Sequence, residues 1–182
     1  MRIISGKFKS RRLLTLPGSA TRPTLDQTKE AIFSSIGGRC QDFVVLDLFG
    51  GSGALALEAI SRGARMAYIA DKSVQALKII KTNVDSLKVE EQVKIIKGDY
   101  RSVLSKLKEQ SFDIIFLDPP YSMKIIDEII SFLIENDMVT RSGFIVAEYA
   151  KGYLVNNNYD DFEVRLQRTY SNSEVLILQR KE

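Results

Sequence analysis

Short apolar runs alternate with amphipathic stretches along most of this chain. Strands are predicted near residues 43–48, 66–70, 93–97, 112–117 and 143–148, and helices near residues 54–62, 73–87, 101–108 and 125–135. Because strands and helices alternate, the pattern predicts an α/β fold with a doubly wound, mostly parallel sheet and right-handed crossovers.

The rhythm of the pattern changes near the C-terminus. Two apolar runs, residues 162–166 and 174–178, have no long helix between them. Runs that are joined this closely predict an antiparallel hairpin. We therefore expect the parallel sheet to end in an antiparallel C-terminal hairpin.

The N-terminal stretch also departs from the alternation. Residues 2–14 predict a small β-hairpin whose strands are joined near residues 6–10. Thr24, followed three residues later by Gln27, is typical of a capping box, here opening a helix through Ile36. We expect a basic hairpin arm and helix over residues 1–40, and one compact core unit over residues 41–182.

The tetrapeptide Asp118-Pro119-Pro120-Tyr121 follows a predicted buried strand. Proline fixes φ and has no N–H, so the chain is rigid just past the sheet, and we expect its carbonyls to be free to face a ligand. Tyr121 offers a flat ring for stacking, and Asp118 offers an anionic acceptor. The motif indicates a site for an NH2 group on a flat heterocycle, such as a nucleobase; a simple Pro-Pro turn is the structural alternative.

A glycine-rich turn, Phe49-Gly50-Gly51-Ser52-Gly53, lies between a predicted strand and a predicted helix. Gly51 and Gly53, with Ala56, fit the loose glycine fingerprint of a nucleotide-binding βα turn. Asp71 ends the next strand, 18 residues after Gly53. A carboxylate at this position can accept hydrogen bonds from both hydroxyls of a ribose.

Four aspartates end four successive strands: Asp47, Asp71, Asp99 and Asp118. Asp47 would crowd a pyrophosphate, which a dinucleotide places on the helix N-terminus, but suits an ammonium group. Asp99 is placed to accept from an adenine amino group, with Tyr100 near the ring. The set favours S-adenosylmethionine, a cationic cofactor without phosphate, over a nicotinamide dinucleotide, although aspartate at a strand end also commonly caps a helix.

Together these motifs resemble the S-adenosylmethionine-dependent methyltransferases of Rossmann-like fold, and Asp118-Pro119-Pro120-Tyr121 resembles the motif of their amino-methylating subgroup. Two N-terminal stretches, Arg2-Ile3-Ile4-Ser5-Gly6-Lys7 and Thr21-Arg22-Pro23-Thr24, followed by Glu30-Ala31-Ile32-Phe33, are similar to the RsmD family. The resemblance covers nearly the whole chain. It implies methylation of the guanine N2 of one nucleotide in bacterial 16S ribosomal RNA, within a small-subunit particle.

The resemblance also implies which residues form the site. The catalytic set is Asp118, Pro119, Pro120 and Tyr121. The cofactor-binding set is Asp47, Phe49, Gly50, Gly51, Gly53, Asp71, Asp99 and Tyr100. The family usually has Glu where this chain has Asp71, and the shorter side chain is expected to rearrange the ribose contact.

Charge is concentrated at the N-terminus. Residues 1–30 contain seven basic and two acidic side chains, a net +5, whereas the whole chain carries +3. Basic residues interspersed with an aromatic favour contact with a phosphate backbone, which we assign to Lys9, Arg11, Arg12 and Arg22. The alternative is a solvated hairpin whose lysines discourage pairing at its edge.

Composition narrows the function further. The chain has 182 residues, 45% of them hydrophobic, enough for one buried core, and no apolar run approaches the ~18 residues of a membrane span. The absence of His removes Ser-His-Asp and Cys-His catalysis and His-bearing zinc sites, leaving only a carboxylate magnesium site open; we predict no metal. Cys40, the single cysteine, fits a reducing compartment and is expected to be a packed core residue. We expect a cytoplasmic, monomeric protein without a membrane partner.

Two alternatives to guanine-N2 methylation of 16S ribosomal RNA stay open on the sequence. One is an amino-methyltransferase that acts on another RNA site or on adenine N6 of DNA. The other is a non-catalytic RNA-binding assembly factor, against which the intact Asp118 and glycine turn argue.

Overall fold

The computed structural model describes residues 1–17 and 23–182, with the side chains of all of these except residues 23–25. Its helices are α1 (Pro23–Ser35), α2 (Ala54–Ser61), α3 (Val74–Leu87), α4 (Tyr100–Leu107) and α5 (Ile126–Glu135), with a short 3₁₀ turn at Glu90–Gln92. Its strands are β1 (Val44–Asp47), β2 (Met66–Asp71), β3 (Val93–Lys97), β4 (Phe112–Leu117), β5 (Val139–Ala150), β6 (Phe162–Thr169) and β7 (Ser173–Arg180).

The strands form one sheet in the order β3-β2-β1-β4-β5-β7-β6. Neighbours from β3 to β5 are parallel, and β7 pairs antiparallel with both β5 and β6. The predicted fold class is therefore confirmed, including the C-terminal hairpin. The strand order reverses between β1 and β4, and in such sheets ligands bind beyond the carboxyl ends of the strands at this switch point.

Alternating side chains of the central strands pack into two apolar layers. Val45 of β1 and Ile114 of β4 point to the layer that contains α1, α2 and α3. Their chain neighbours Leu46 and Ile115 point to the opposite layer, against α4 and α5. Because both faces of these strands are covered, the strands are continuous apolar runs, as expected for a parallel sheet.

The β5 strand is longer than predicted and spans Val139–Ala150. Its pairing with β4 shifts register, because Phe112 pairs with Val139 whereas Ile114 pairs with Phe144. Ser142 has a φ of 60° inside this irregular stretch. The polar residues of the bulge interrupt the apolar run. The apolar pattern therefore predicted a strand that starts only at residue 143.

The two halves of the N-terminal arm pair antiparallel, as the sequence predicted, but they do not form two regular strands. Within residues 1–17 the arm has a single isolated bridge, between Arg2 and Arg12. The N–H groups of Ile4 and Ser5 instead donate to the carboxylate of Glu58 on α2, at 2.8 and 3.0 Å. The N–H groups of Ile3, Ser10 and Leu13 donate across the arm itself, so the arm is bonded both between its two halves and to α2.

Glycine allows the arm to dock so closely on α2. Gly6 has a φ of +83°, and a Cβ there would lie 1.8 Å from the carbonyl oxygen of Ser61. The N–H of Lys7 donates to this carbonyl at 2.7 Å, and the N–H of Phe8 donates to the Ser61 hydroxyl at 2.9 Å. Only a residue without a side chain fits this contact.

The predicted helix after the arm is present as α1, which begins at Pro23; the proposed capping box lies partly outside the described side chains. Beyond its last turn, the N–H of Gly38 donates to the Phe33 carbonyl at 2.8 Å, and Gly38 has a positive φ, as is typical of a helix C-terminus. Cys40 follows, fully buried in the core, and burial raises the pKa of its thiol to about 12. Among the described residues, none of the helices has the length and apolarity needed to cross a membrane.

Candidate active site

A cavity of about 260 Å³ opens beyond the carboxyl ends of β1 and β4. One wall is the glycine turn after β1, and a second is formed by α1 together with Met1 and Thr15 of the arm. The remaining side carries Asp47, Asp118 and Glu148. The cavity therefore lies at the topological switch point and brings three carboxyl groups together.

The backbone of the glycine turn faces this cavity. Gly51 has a φ of +57°, and a Cβ there would meet little but open space, with the Phe49 carbonyl oxygen 3.9 Å away. Gly50 packs against β2 on its other side. Its N–H donates to the carbonyl of Ala70 at 2.8 Å, and a Cβ there would lie 2.4 Å from the side chain of Ile69. A ligand can thus approach the backbone of the turn closely, as the fingerprint predicted.

Asp71 supports the glycine turn from the end of β2. Its Oδ2 accepts from the N–H of Gly51 at 2.9 Å, and its Oδ1 accepts from the N–H of Ser73 at 2.8 Å. Each carboxylate oxygen keeps acceptor capacity, so the predicted ribose contact is compatible with these bonds. The short side chain of Asp71 holds its carboxylate close to the turn.

Asp47 is almost completely buried, with 2% of its surface exposed. Burial raises the pKa of its carboxyl to about 7, and the nearby charge of Asp71 acts in the same direction. The N–H groups of Ala56 and Phe49 donate to the carboxyl and oppose this rise. Asp47 therefore lies under the N-terminus of α2. A cationic ligand next to it would lower the pKa of its carboxyl and favour the ionised form.

Asp99 and Tyr100 lie at the end of β3, outside the lining of the cavity. Asp99 is exposed and caps α4, because its Oδ1 accepts from the N–H groups of Arg101 and Ser102. Tyr100 is 8% exposed, and its ring centroid lies 5.9 Å from that of Phe49. Phe49 lines the cavity, so Tyr100 adjoins the cavity through it, and the adenine contacts of both residues stay predictions.

Asp118 directly follows β4 and lines the cavity, and the residue is exposed. The surrounding walls displace bulk water and raise the pKa of its carboxyl well above its ordinary value, and the charges of Glu148 and Asp47 add to the effect. Pro119 is buried. The expectation that all carbonyls of the motif are free is wrong for Pro120, whose carbonyl accepts from the N–H of Met123 at 2.8 Å.

Tyr121 presents its ring to solvent and is 49% exposed. Its hydroxyl donates to Oε1 of Glu148 at 3.2 Å, and the Ser173 side chain also bonds to this hydroxyl. Partial burial and the charge of Glu148 raise the pKa of Tyr121. Glu148 was not predicted as a site residue, although it ends a predicted strand as the four aspartates do.

The basic side chains of the arm lie outside the lining of the cavity. Lys9, Arg11 and Arg12 are exposed, as a role in RNA contact requires. Arg11 also has a structural partner, because its Nη2 donates to the Ser86 carbonyl of α3 at 2.9 Å. Arg22 lies outside the described residues.

A buried group of charges, which the sequence analysis also missed, fixes the arm to the core. Glu58 has no exposed surface and forms ion pairs with Lys29 at 3.1 Å and with Arg62 at 2.8 Å. Burial lowers the pKa of Lys29, while Glu58 opposes this change. Lys29 also donates to the Arg2 carbonyl, and it lines the cavity. The arm, α1 and α2 thus share one paired set of charges at the cavity wall.

Comparison with known proteins agrees with the resemblance seen in the sequence. Residues 1–179 match the family described as Conserved hypothetical protein 95. The chain belongs to this family, which is that of the RsmD methyltransferases.

Relatives within the family match over most of their length. YlbH of Bacillus subtilis is 34% identical over the full length of both chains. The ribosomal RNA small subunit methyltransferase D of Haemophilus influenzae is 33% identical over 83% of this chain and 79% of that protein. The protein of the same name from Escherichia coli K12 is 30% identical, over 81% and 74% of the two chains.

Two solved structures, described as a methyltransferase and a methylase, have the same fold. The structure of yhhF from Escherichia coli superposes with a TM-score of 0.86 at 26% identity, covering 100% of this chain and 98% of that one. The structure of HI0767 from Haemophilus influenzae gives a TM-score of 0.81, also at 26% identity, with the same coverage. The similarity includes the N-terminal arm as well as the core.

Proposed function

We propose that this protein transfers a methyl group from S-adenosylmethionine to the exocyclic N2 amino group of a guanine in bacterial 16S ribosomal RNA. The observation that carries this proposal is a single cavity at the switch point that is shared by the glycine turn and Asp118. Two relatives that cover most of this chain are named as methyltransferases of the small-subunit ribosomal RNA.

The cavity suits S-adenosylmethionine on chemical grounds. Gly51 leaves open space in front of the backbone, which a side chain would fill. Asp47, Asp118 and Glu148 supply negative charge, which favours a cationic ligand over a pyrophosphate. We assign the ammonium group to Asp47 and the ribose to Asp71. When bound, S-adenosylmethionine supplies an activated methyl group.

Asp118 has the role of acceptor for the target amine. The lone pair of a guanine amino group is delocalised into the ring, so the amine is a poor nucleophile. Asp118 and the Pro119 carbonyl accept its two hydrogens, which favours a pyramidal nitrogen and directs the lone pair toward the cavity. Positive charge that builds on the nitrogen is stabilised by acceptors already in place, and alignment contributes up to ~7–11 kcal/mol in favourable cases.

Tyr121 and the arm have the role of holding the nucleic acid. The half-exposed ring of Tyr121 provides a face on which a base that has left its stack can lie. Lys9, Arg11 and Arg12 are exposed on the arm whose residues Met1 and Thr15 line the cavity, and we assign them to contact with the phosphate backbone. A small-subunit particle rather than free RNA is the proposed substrate.

The first experiment maps the methylated nucleotide. Small-subunit RNA from a strain that lacks this gene is expected to lose one N2-methylguanine, and the purified protein with S-adenosylmethionine should restore it on isolated particles. Mass spectrometry of digested RNA identifies the base. N6-methyladenine in DNA as the product, or binding of particles without any methyl transfer, would contradict the proposal.

The second experiment tests Asp118. Asp118→Asn keeps the shape of the side chain but replaces an acceptor oxygen with an NH2 donor, so single-turnover methyl transfer with saturating cofactor should slow by about 10²–10³. The control is Asp85→Asn, which changes an exposed carboxylate that pairs with Lys81 on α3 at 3.0 Å. Transfer by Asp118→Asn at the control's rate would refute the acceptor role.

A further inference from the structure

Glu148 and Asp118 stand side by side at the edge of the sheet. Leu117 of β4 pairs with Ala147 of β5 in parallel register, so Asp118 and Glu148 are the next residues on two adjacent strands. Both line the cavity, and the charge of Glu148 contributes to the raised pKa of Asp118. A base whose amino group reaches Asp118 therefore meets a second carboxylate.

Glu148 is held in place and still has capacity to accept. Its Oε1 accepts a hydrogen bond from the hydroxyl of Tyr121 at 3.2 Å, and the Ser173 side chain bonds to the same hydroxyl. Ser173 itself is buried, at 6% exposure. A carboxylate has about four acceptor positions, so this contact orients Glu148 without filling it.

The edges of the purines differ at the atom next to the target amine. Guanine carries an N1–H donor beside its N2 amino group, whereas adenine carries an unprotonated N1 beside its N6 amino group. With the amine at Asp118, guanine presents a second donor to Glu148, and adenine presents a lone pair. An acceptor opposite a lone pair is left unsatisfied and is repelled.

We propose that Glu148 is the specificity-determining residue of this site, which accepts the N1–H of the target guanine and rejects bases without a proton at N1. This inference rests on the proposed amino-methyl transfer and deepens it. Glu148 selects the base, while Asp118 acts on the amine. The Tyr121 hydroxyl fixes the carboxylate that does the selecting.

A base analogue separates this role from a structural one. 2-Aminopurine has the same exocyclic amine as guanine but no proton at N1. In RNA that carries either base at the nucleotide mapped above, the wild-type protein should methylate guanine about 10–100-fold faster in single turnovers. Glu148→Gln supplies an NH2 donor to N1 of 2-aminopurine, so the preference should shrink at least tenfold.

Two further variants complete the test. Glu148→Asp keeps the carboxylate and is expected to keep the preference for guanine, whatever its absolute rate. Glu163→Gln makes the same chemical change at an exposed residue of β6 and should leave the preference at the wild-type value. Because the readout is a ratio of two substrates on one variant, partial loss of folded protein does not move it.

The outcomes are distinguishable from a failure of the proposed function. If the wild-type protein does not methylate guanine in this RNA, the proposed function fails. If it does, and Glu148→Gln keeps the wild-type preference, the inference about Glu148 alone is overturned. A preference for guanine over 2-aminopurine that shrinks in Glu148→Gln and is retained in Glu148→Asp supports the inference about Glu148.

Discussion

Asp47 provides the sharpest test of the electrostatics of this site. Its carboxyl is buried under the N-terminus of α2, and its pKa is raised from 3.8 to about 7, mainly by that burial. Asp47→Asn keeps the size of the side chain and an oxygen that accepts from the N–H of Ala56 or Phe49. The variant cannot ionise, so the pH dependence that comes from Asp47 should disappear.

The sign and size of the effect follow from linkage. Between pH 3.8 and about 7 the folded state binds more protons at Asp47 than the unfolded state does, so this group lowers stability as pH rises through that window. A pKa change of this size corresponds to about 4 kcal/mol. About 2–3 kcal/mol of this falls between pH 5 and pH 8. The free energy of unfolding of Asp47→Asn should therefore increase relative to that of the wild type as pH rises.

Urea unfolding followed by circular dichroism at pH 5, 6, 7 and 8 measures this difference directly. The free energy of unfolding of Asp47→Asn minus that of the wild type should increase by about 2–3 kcal/mol from pH 5 to pH 8. Asp85→Asn controls for removal of a surface carboxylate. A difference that stays constant, or that shrinks as pH rises, would refute the reasoning, even if the variant is more stable overall.

The same substitution should weaken the binding of S-adenosylmethionine. If Asp47 supports the cofactor's ammonium group, its loss at pH 8 should reduce affinity about 10–100-fold, the range for hydrogen bonds to charged groups. The loss should be smaller at pH 6, because there the wild-type carboxyl is mostly protonated in the free protein. Calorimetry at both values checks this, and equal affinities at pH 8 would leave Asp47 a purely structural role.

Two further predictions concern the arm. Gly6→Ala should lower the free energy of unfolding by at least about 2 kcal/mol more than Gly152→Ala does. Both glycines have nearly the same positive φ, but only Gly6 lacks space for a Cβ. Equal losses in urea titrations would mean that the arm shifts to accommodate the Cβ at no cost. Replacement of Lys9, Arg11 and Arg12 by Ala should lower the log–log salt slope of RNA binding by about one for each lost phosphate contact; an unchanged slope would mean that these side chains are only solvated.

Much of the fold could be predicted because apolar periodicity determines which faces are buried. The strands β1 to β4 and the helices between them lie within a residue or two of their predicted bounds. The pattern failed where backbone bonding departs from periodicity. At Ser142 a bulge interrupts β5, and at Ile4 and Ser5 the N–H groups bond to a side chain of α2, a contact that no periodicity indicates.

The sequence could predict which residues lie at the strand ends of the candidate site, but not which hydrogen bonds join them. Strand ends are visible in the sequence, and the parallel sheet brings Asp47 and Asp118 to one edge, as expected. The bond from Gly51 to Asp71 depends on the relative height of two loops, which no local pattern encodes. The bond from Tyr121 to Glu148 depends equally on the register between two strands, and Glu148 was missed for this reason.

Glu58 explains how the arm is fixed to the core. A charged residue in the middle of a helix is ordinarily exposed, but Glu58 is fully buried and binds two backbone N–H groups of the arm together with Lys29 and Arg62. Charges buried in this way are stable only as a complete set, because loss of one partner leaves the others unpaired. The arm is thereby held against the wall of the cavity that Lys29 lines. Under the proposed function, an arm fixed in this way would hold the RNA backbone at a constant position relative to Asp118.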